Sequence, residues 1–272
     1  MRTRRPLRAA MLATAALLAP AAARADDPGP YVALGDSYTA APLVPLLTGR
    51  PLGCARSTRN YPSLVRAAIG AAVARDVSCS SAETKHMTAP QAVALGANAP
   101  QFDALTADTR LVTLGIGGND VGLVGAAVTC LRLGALQPRG RACRMHFATA
   151  TGGDVLVDAI AATAPRLAAT LQGVHARAPQ ARVLLVGYPD VAPRDGRGCH
   201  PLVPMSGDDV AYLDEMLRRT NAMLAAAAAA ADAEYVDTYD DSIGHDVCTA
   251  PAKRWFEGVV PTSPAFPIHP TR

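Results

Sequence analysis

The chain has 272 residues, half of them hydrophobic, and 26 basic against 23 acidic side chains give it a formal charge of +3. Five of the arginines fall in residues 1–25, which hold no acid, so the rest of the chain carries 21 bases against 23 acids and is slightly negative. With Lys85 and Lys253 as its only lysines it offers no basic patch for nucleic acid, and its length suits one domain with a sizeable core.

Residues 1–25 read as a secretory signal peptide. Arg2, Arg4, Arg5 and Arg8 precede the apolar run Ala9–Leu18, and Ala23-Arg24-Ala25 supplies a small-x-small cleavage site. The run is shorter than the roughly 20 residues of a spanning helix, and Pro20 follows it. The expectation is export, cleavage near Ala25, no stable membrane anchor, and a single mature domain over residues 26–272.

The first strand is predicted at Tyr31–Leu34, and Gly35-Asp36-Ser37 follows it directly. A serine on the turn leaving a parallel strand faces the crevice where α/β proteins hold their ligands. The same tripeptide also fits a plain turn or a helix N-cap, because Asp and Ser both bond nearby amides. Tyr61–Ala74 predicts a helix, with Asn60 before it and Pro62 in its first turn. Asp76–Ser78 and Leu111–Ile116 are the next strands, the second running into Gly117-Gly118-Asn119-Asp120, a glycine turn that presents an amide at the same sheet edge.

Asp154–Ala178 predicts a long helix with Pro165 as a kink or break, and Arg182–Gly187 a fourth strand. Asp208–Ala231 is apolar at Val210, Leu213, Leu217 and Leu224 and ends in an alanine tract, as a packed helix would. After a last strand at Tyr235–Thr238, Pro267-Ile268-His269-Pro270 places an imidazole in a loop. Strand runs that are continuous rather than alternating are buried on both faces, and their alternation with helices implies a parallel sheet. Leu43–Arg59, Thr129–Thr151 and Val191–Gly207 are expected to be irregular.

Cys54, Cys79, Cys130, Cys143, Cys199 and Cys248 form an even set in an exported chain, which predicts three disulfides, with 15 pairings open by count alone. A zinc site is the competing reading, but neither a C-x-x-C pair nor a paired-histidine helix is present.

Gly35-Asp36-Ser37, Cys79-Ser80-Ser81-Ala82, Gly117-Gly118-Asn119-Asp120 and His269, in that order, resemble the four motif blocks of the SGNH, or GDSL, hydrolase superfamily. Tyr31–Tyr38, Asn60-Tyr61-Pro62 and Pro261–Pro270 are most similar to its secreted, disulfide-containing bacterial lipases and esterases. The resemblance implies an α/β fold, a three-layer α/β/α sandwich around a central, mainly parallel five-stranded sheet of flavodoxin-like order. It also implies a monomeric serine ester hydrolase that uses neither metal nor cofactor and acts on lipid or another ester.

Carried over by motif, Ser37 is the nucleophile and His269 the general base. The backbone N–H groups of Ser37 and Ser81 and the side-chain amide of Asn119 form the oxyanion site, and the disulfides pair sequentially as Cys54–Cys79, Cys130–Cys143 and Cys199–Cys248. Three departures from the pattern follow. Ser81 stands where the family has glycine, which would strain the loop at positive φ. Phe266 stands where an aspartate is usual, and the resemblance assigns its backbone C=O to orient the imidazole, with Asp240 and Asp241 as alternative acids. The sequence stops at Arg272, where relatives continue into a helix, so uncovered apolar surface is expected.

Lipase, phospholipase and carboxylesterase all suit such a site. The rivals are a polysaccharide deacetylase and a catalytically silent lipid- or glycan-binding protein on the same fold. His86, His146, His175, His200 and His245 sit off the motif, Asp36 and Asp120 read as residues that hold their turns, and Trp255 and Phe256 read equally as core or acyl pocket.

Overall fold

A computed structural model describes residues 29–194 and 196–271, so the expected signal peptide lies outside the described residues. In chain order the main elements are β1 (Tyr31–Gly35), α1 (Ser37–Ala40), α2 (Tyr61–Ile69), β2 (Ala74–Asp76), β3 (Gln91–Val93), β4 (Gly96–Asn98), β5 (Leu111–Gly115), α3 (Gly118–Val121), α4 (Leu123–Leu136), α5 (Ala142–Phe147), α6 (Val155–Arg177), β6 (Arg182–Val186), α7 (Gly207–Ala230) and β7 (Glu234–Val236).

Five strands form one sheet in the order β2-β1-β5-β6-β7, and every pairing in it is parallel. Numbered among themselves these strands run 2-1-3-4-5, the doubly wound order whose switch point lies between the first and third strands. Here that is the seam between β1 and β5, which end level with each other at Gly35 and Gly115. The fold is the expected α/β/α sandwich, with helices covering both faces of the sheet.

Alternation along β1 explains why both faces need cover. Tyr31 and Ala33 pack with Ala71 and with Val65 and Ile69 of α2. Val32 and Leu34 point the other way, where Val112, Leu114, Val183 and Leu185 meet Leu167, Leu171 and Val174 of α6 and Leu224 of α7. Each such buried aliphatic side chain contributes about 1.5–3 kcal/mol, so the runs that read as continuous in sequence are the ones that hold the layers together. A second core joins α4, α5 and α7 through Ala126, Cys130, Cys143, Tyr212 and Met216.

Local chemistry sets the helix ends. Asn60 caps α2 by accepting from Ser63 N–H, and Gly70 stops that helix in the left-handed region at φ 67°, so it ends before Ala74. Asp154 caps α6 by accepting from Leu156 and Val157 N–H. Pro165 neither breaks nor ends α6, which runs through it to Arg177. Side chains take up carbonyls around it, Thr163 bonding Ala159 C=O at 2.8 Å and Arg166 bonding Ala162 C=O at 3.2 Å.

The segment Thr129–Thr151, expected to be irregular, is largely helical. It holds the end of α4 and all of α5, which the Cys130–Cys143 disulfide joins. Cys199–Cys248 ties the loop after β6 to the loop after β7, and Cys54–Cys79 ties the segment after α1 to the chain leaving β2. None of the six cysteines is free. Among the described residues no helix is long and apolar enough to cross a membrane.

Candidate active site

Ser37 opens α1 at the carboxyl end of β1. Asp36 caps this short helix, its carboxylate accepting from Tyr38 N–H at 2.9 Å. Gly35 has φ 152°, and a Cβ there would stand 2.6 Å from Gly115 C=O and 2.2 Å from Thr39 Oγ1, so the turn admits no side chain. The buried Gln101 pairs with Gly35 like a short strand, accepting from its N–H at 2.7 Å and donating to its C=O at 2.9 Å. The turn that carries Ser37 is thus held from three sides.

His269 arrives from the far end of the chain, and its Nε2 lies 2.9 Å from Ser37 Oγ. Its Nδ1 lies 2.9 Å from the C=O of Pro267. That corrects the expectation for Phe266, whose carbonyl is occupied by the backbone N–H of His269 at 3.1 Å. The tight turn closing on that bond leaves the carbonyl one residue nearer to face the ring. Asp240 and Asp241 lie at the surface, Asp240 paired with Arg194, and neither bonds the imidazole.

The imidazole is 3% exposed. It packs between the rings of Tyr38, at 5.0 Å, and Phe266, at 5.1 Å. Burial holds its pKa below the ordinary histidine value, against the opposing pull of the Pro267 bond. A neutral ring donating Nδ1–H to a carbonyl leaves Nε2 with its lone pair toward Ser37, which is the tautomer a base needs. Tyr38 O–H donates to Ile268 C=O at 2.7 Å, and Glu257 N–H to His269 C=O at 2.9 Å, fixing the loop on both sides.

Ser81 takes φ 64°, the left-handed region. Its neighbours are pinned: Ser80 N–H and Oγ both bond Cys54 C=O, and Ala82 N–H bonds Cys79 C=O. Asn119 donates from Nδ2 to Ala82 C=O at 2.9 Å, while Asp120 accepts from Thr84 N–H at 2.9 Å and Thr84 Oγ1 at 2.5 Å. Asp120 therefore holds the neighbouring loop rather than its own turn. Two adjacent residues of α3 so clamp residues 82–84 beside Ser81, and the second hydrogen of the Asn119 amide is left for another acceptor.

Sequence reading missed Tyr188. Its hydroxyl donates to Asp36 at 2.5 Å and accepts from Gly118 N–H at 2.7 Å. Burial pushes the Asp36 carboxyl up to about 7, against the hydrogen bonds from Tyr188 and Tyr38 that favour its charged form. Gly118 is bare because a Cβ there would lie 2.9 Å from the Tyr188 ring. The clue was positional, since Tyr188 leaves β6 at the same sheet edge.

A cavity of about 300 Å³ opens beside Ser37, Asn119 and His269. Val124, Val128 and Leu131 of α4 line one wall and Leu213 and Leu217 of α7 another, with Phe266 at the histidine loop. Its lining is mainly apolar, with Asp36, Asn119, Asp214 and His269 among the polar exceptions. Trp255 instead stacks on His245 at the surface, with ring centroids 4.0 Å apart, and Phe256 is buried in the second core.

Residues 33–272 match the GDSL-like lipase/acylhydrolase family. Lipase 2 of Streptomyces coelicolor is 38% identical over 243 residues, which cover 88% of this chain and 80% of that protein. An esterase of Streptomyces scabiei is 32% identical, covering 87% of this chain and 77% of its own. Among solved structures, phospholipase A1 from Streptomyces albidoflavus superposes with a TM-score of 0.74 at 26% identity, over 89% of this chain and 92% of its own. The extracellular lipase of Streptomyces rimosus gives 0.69 at 25% identity, over 89% and 93%.

Proposed function

Because the chain belongs to the GDSL-like lipase/acylhydrolase family, we propose that it cleaves carboxylic esters through an acyl-enzyme on Ser37, with His269 as general base. The observation that carries this reading is the 2.9 Å contact between His269 Nε2 and Ser37 Oγ. A serine hydroxyl is a weak nucleophile until an adjacent base takes its proton. As Oγ attacks the ester carbon, Nε2 accepts that proton, and the carbonyl π electrons move onto oxygen. Collapse of the tetrahedral species expels the alkoxide, which Nε2–H protonates. Water then repeats the sequence on the acyl-enzyme, releasing the acid and restoring Ser37.

The developing oxyanion is assigned to the N–H of Ser37, the N–H of Ser81 and the Asn119 amide, each such donor being worth about 3–4 kcal/mol at the transition state. Helix-opening amides lack intrahelical acceptors, which suits Ser37 N–H to the task. The Pro267 carbonyl orients the ring in place of a carboxylate. The aliphatic cavity favours a fatty acyl chain over an acetyl group, which argues for lipase or phospholipase activity rather than polysaccharide deacetylation. We further propose export after removal of residues 1–25. Three disulfides suit an oxidising compartment, and the Streptomyces rimosus relative is an extracellular lipase.

The test is covalent labelling of the folded, oxidised protein with a fluorophosphonate, followed by peptide mapping. Adduct on Ser37, together with a loss of roughly 10⁶-fold in p-nitrophenyl ester turnover for Ser37→Ala, is expected. An unlabelled Ser37 would favour a silent binding protein instead, and wild-type turnover in the variant would overturn the assignment of Ser37 as nucleophile.

A further inference from the structure

One side chain grips the peptide group between Ser80 and Ser81. Gln91 Nε2 donates to Ser80 C=O at 2.8 Å. That carbonyl and Ser81 N–H belong to the same trans peptide, in which the two point in opposite directions. Turning the carbonyl toward Gln91 therefore turns the N–H away from it, and among the described residues Ser81 N–H has no acceptor. The loop runs beside the turn of Ser37, because Cys79 N–H bonds Gly35 C=O at 2.9 Å.

Gln91 is buried, at 4% exposure, and it opens β3. Its register partner across the hairpin is Asn98, and directly opposed residues present their side chains on one face. Asn98 Nδ2 donates to Val77 C=O at 3.3 Å, and the buried Arg56 donates from Nη1 to Ser78 C=O at 2.7 Å. Three side chains thus hold carbonyls along residues 77–80, and Gln91 holds the one next to Ser81.

The other end of the Gln91 amide shows what the residue is for. Its Oε1 is buried and has no partner. An unpaired buried acceptor costs stability, so packing alone would favour an apolar side chain of the same length. What glutamine adds is the donor on Nε2. A bond accepted by a carbonyl also polarises its amide and strengthens the N–H as a donor.

We propose that Gln91 is a positioning residue for the oxyanion site, aiming Ser81 N–H through its bond to Ser80 C=O. This deepens the ester-hydrolase reading and rests on its assignment of that N–H. The β3–β4 hairpin then serves as a bracket that keeps the oxyanion loop in register with the turn of Ser37.

The experiment uses the full mature chain with Gln91→Met and Gln91→Glu. Gln91→Met keeps the length of the side chain and removes both the donor and the orphaned acceptor. Its kcat on p-nitrophenyl butyrate falls about 10–100-fold, while KM and the urea midpoint stay at wild-type values. In Gln91→Glu a neutral carboxyl can donate to Ser80 C=O and an ionised one cannot, and burial favours the neutral form. The ratio of its kcat to that of wild type therefore rises as pH falls, which lost packing would not produce. The Ser81 amide nitrogen resonance, sensitive to the bond its own peptide carbonyl accepts, shifts in Gln91→Met with or without turnover. A shifted resonance in a protein that hydrolyses no ester would strike the ester reading and leave the positioning intact. The proposal is overturned if Gln91→Met keeps wild-type kcat, if its kcat falls only in step with the urea midpoint, if the Gln91→Glu ratio is flat with pH, or if the Ser81 resonance stays in place.

Discussion

The phenol of Tyr188 donates to the carboxylate of Asp36 while accepting from Gly118 N–H, so one side chain just past β6 ties the turn that carries Ser37 to the turn that carries Asn119. Tyr188→Phe keeps the ring and deletes that tie. It leaves a buried carboxylate oxygen and a buried N–H without their partner, each worth about 1–3 kcal/mol. A loss of about 3 kcal/mol in urea unfolding is expected, with kcat lowered more than KM is raised. Wild-type stability in the variant would mean that water replaces the hydroxyl.

Ser81 is held at φ 64°. Left-handed backbone costs a non-glycine residue about 1–2 kcal/mol. Ser81→Gly should therefore raise the unfolding free energy by about 1 kcal/mol, and Ser81→Val should lower it. On the proposed assignment the oxyanion donor at this position is a backbone N–H, so Ser81→Gly should keep kcat at or above the wild-type value. A tenfold fall would show that the serine hydroxyl itself takes part.

Asn119→Ala removes a side-chain donor and also frees Ala82 C=O from its bond. Loss of an oxyanion donor lowers kcat by about 10²–10³-fold with little change in KM. A rise in KM alone would move Asn119 from transition-state stabilisation to ground-state binding.

Burial lowers the pKa of His269, so the neutral ring persists to more acidic pH than in a free histidine. The acidic limb of kcat/KM, which reports the free enzyme's base, should have its midpoint below 6.5. The same shift bears on stability. The folded state resists a proton that the unfolded chain accepts, so this contribution is present above about 6.5 and is lost as pH falls toward the depressed folded value. A limb centred above 7 would point to another titrating group.

Cys130–Cys143 closes 13 residues between α4 and α5. The chain-entropy value for a loop of that size is about 3 kcal/mol. Replacing both cysteines by alanine should lower stability by up to that amount, and because α4 lines the cavity, long-chain esters should lose more turnover than short ones. Equal losses on both would place the effect in global stability.

The inner strands β1, β5 and β6 were legible because they are continuous and apolar, as buried strands of a parallel sheet must be, whereas the edge strands are short and part-polar, and β2 lies at Ala74–Asp76, two residues before the expected Asp76–Ser78. The helices α2, α6 and α7 announced themselves through Asn60, Asp154 and their apolar spacing. Helices α4 and α5 did not, because Gly134, Pro138 and Gly140 punctuate the stretch and the cysteines there read as loop staples. The β3–β4 hairpin was missed as well, its strands being three residues each, with Leu95 in the turn and Gly96 at the start of β4 both at positive φ. Motif order led to Ser37, Ser81, Asn119 and His269. It could not say which carbonyl faces Nδ1, since Phe266 and Pro267 are neighbours in one tight turn and only its geometry decides between them. Nor could it reveal Tyr188 or Gln101, whose contacts with Asp36 and Gly35 span 152 and 66 residues and exist only once the sheet is assembled.

The contact between Ser37 and His269 bridges 232 positions of the chain. Loop-closure entropy grows with such a span, and contacts this remote in sequence form late when a domain folds. A folding intermediate with the sheet in place, but with residues 259–268 not yet docked, would hold Ser37 without its His269 contact. Recovery of esterase activity during refolding should therefore lag recovery of far-ultraviolet ellipticity, which makes turnover a gauge of the last step in folding.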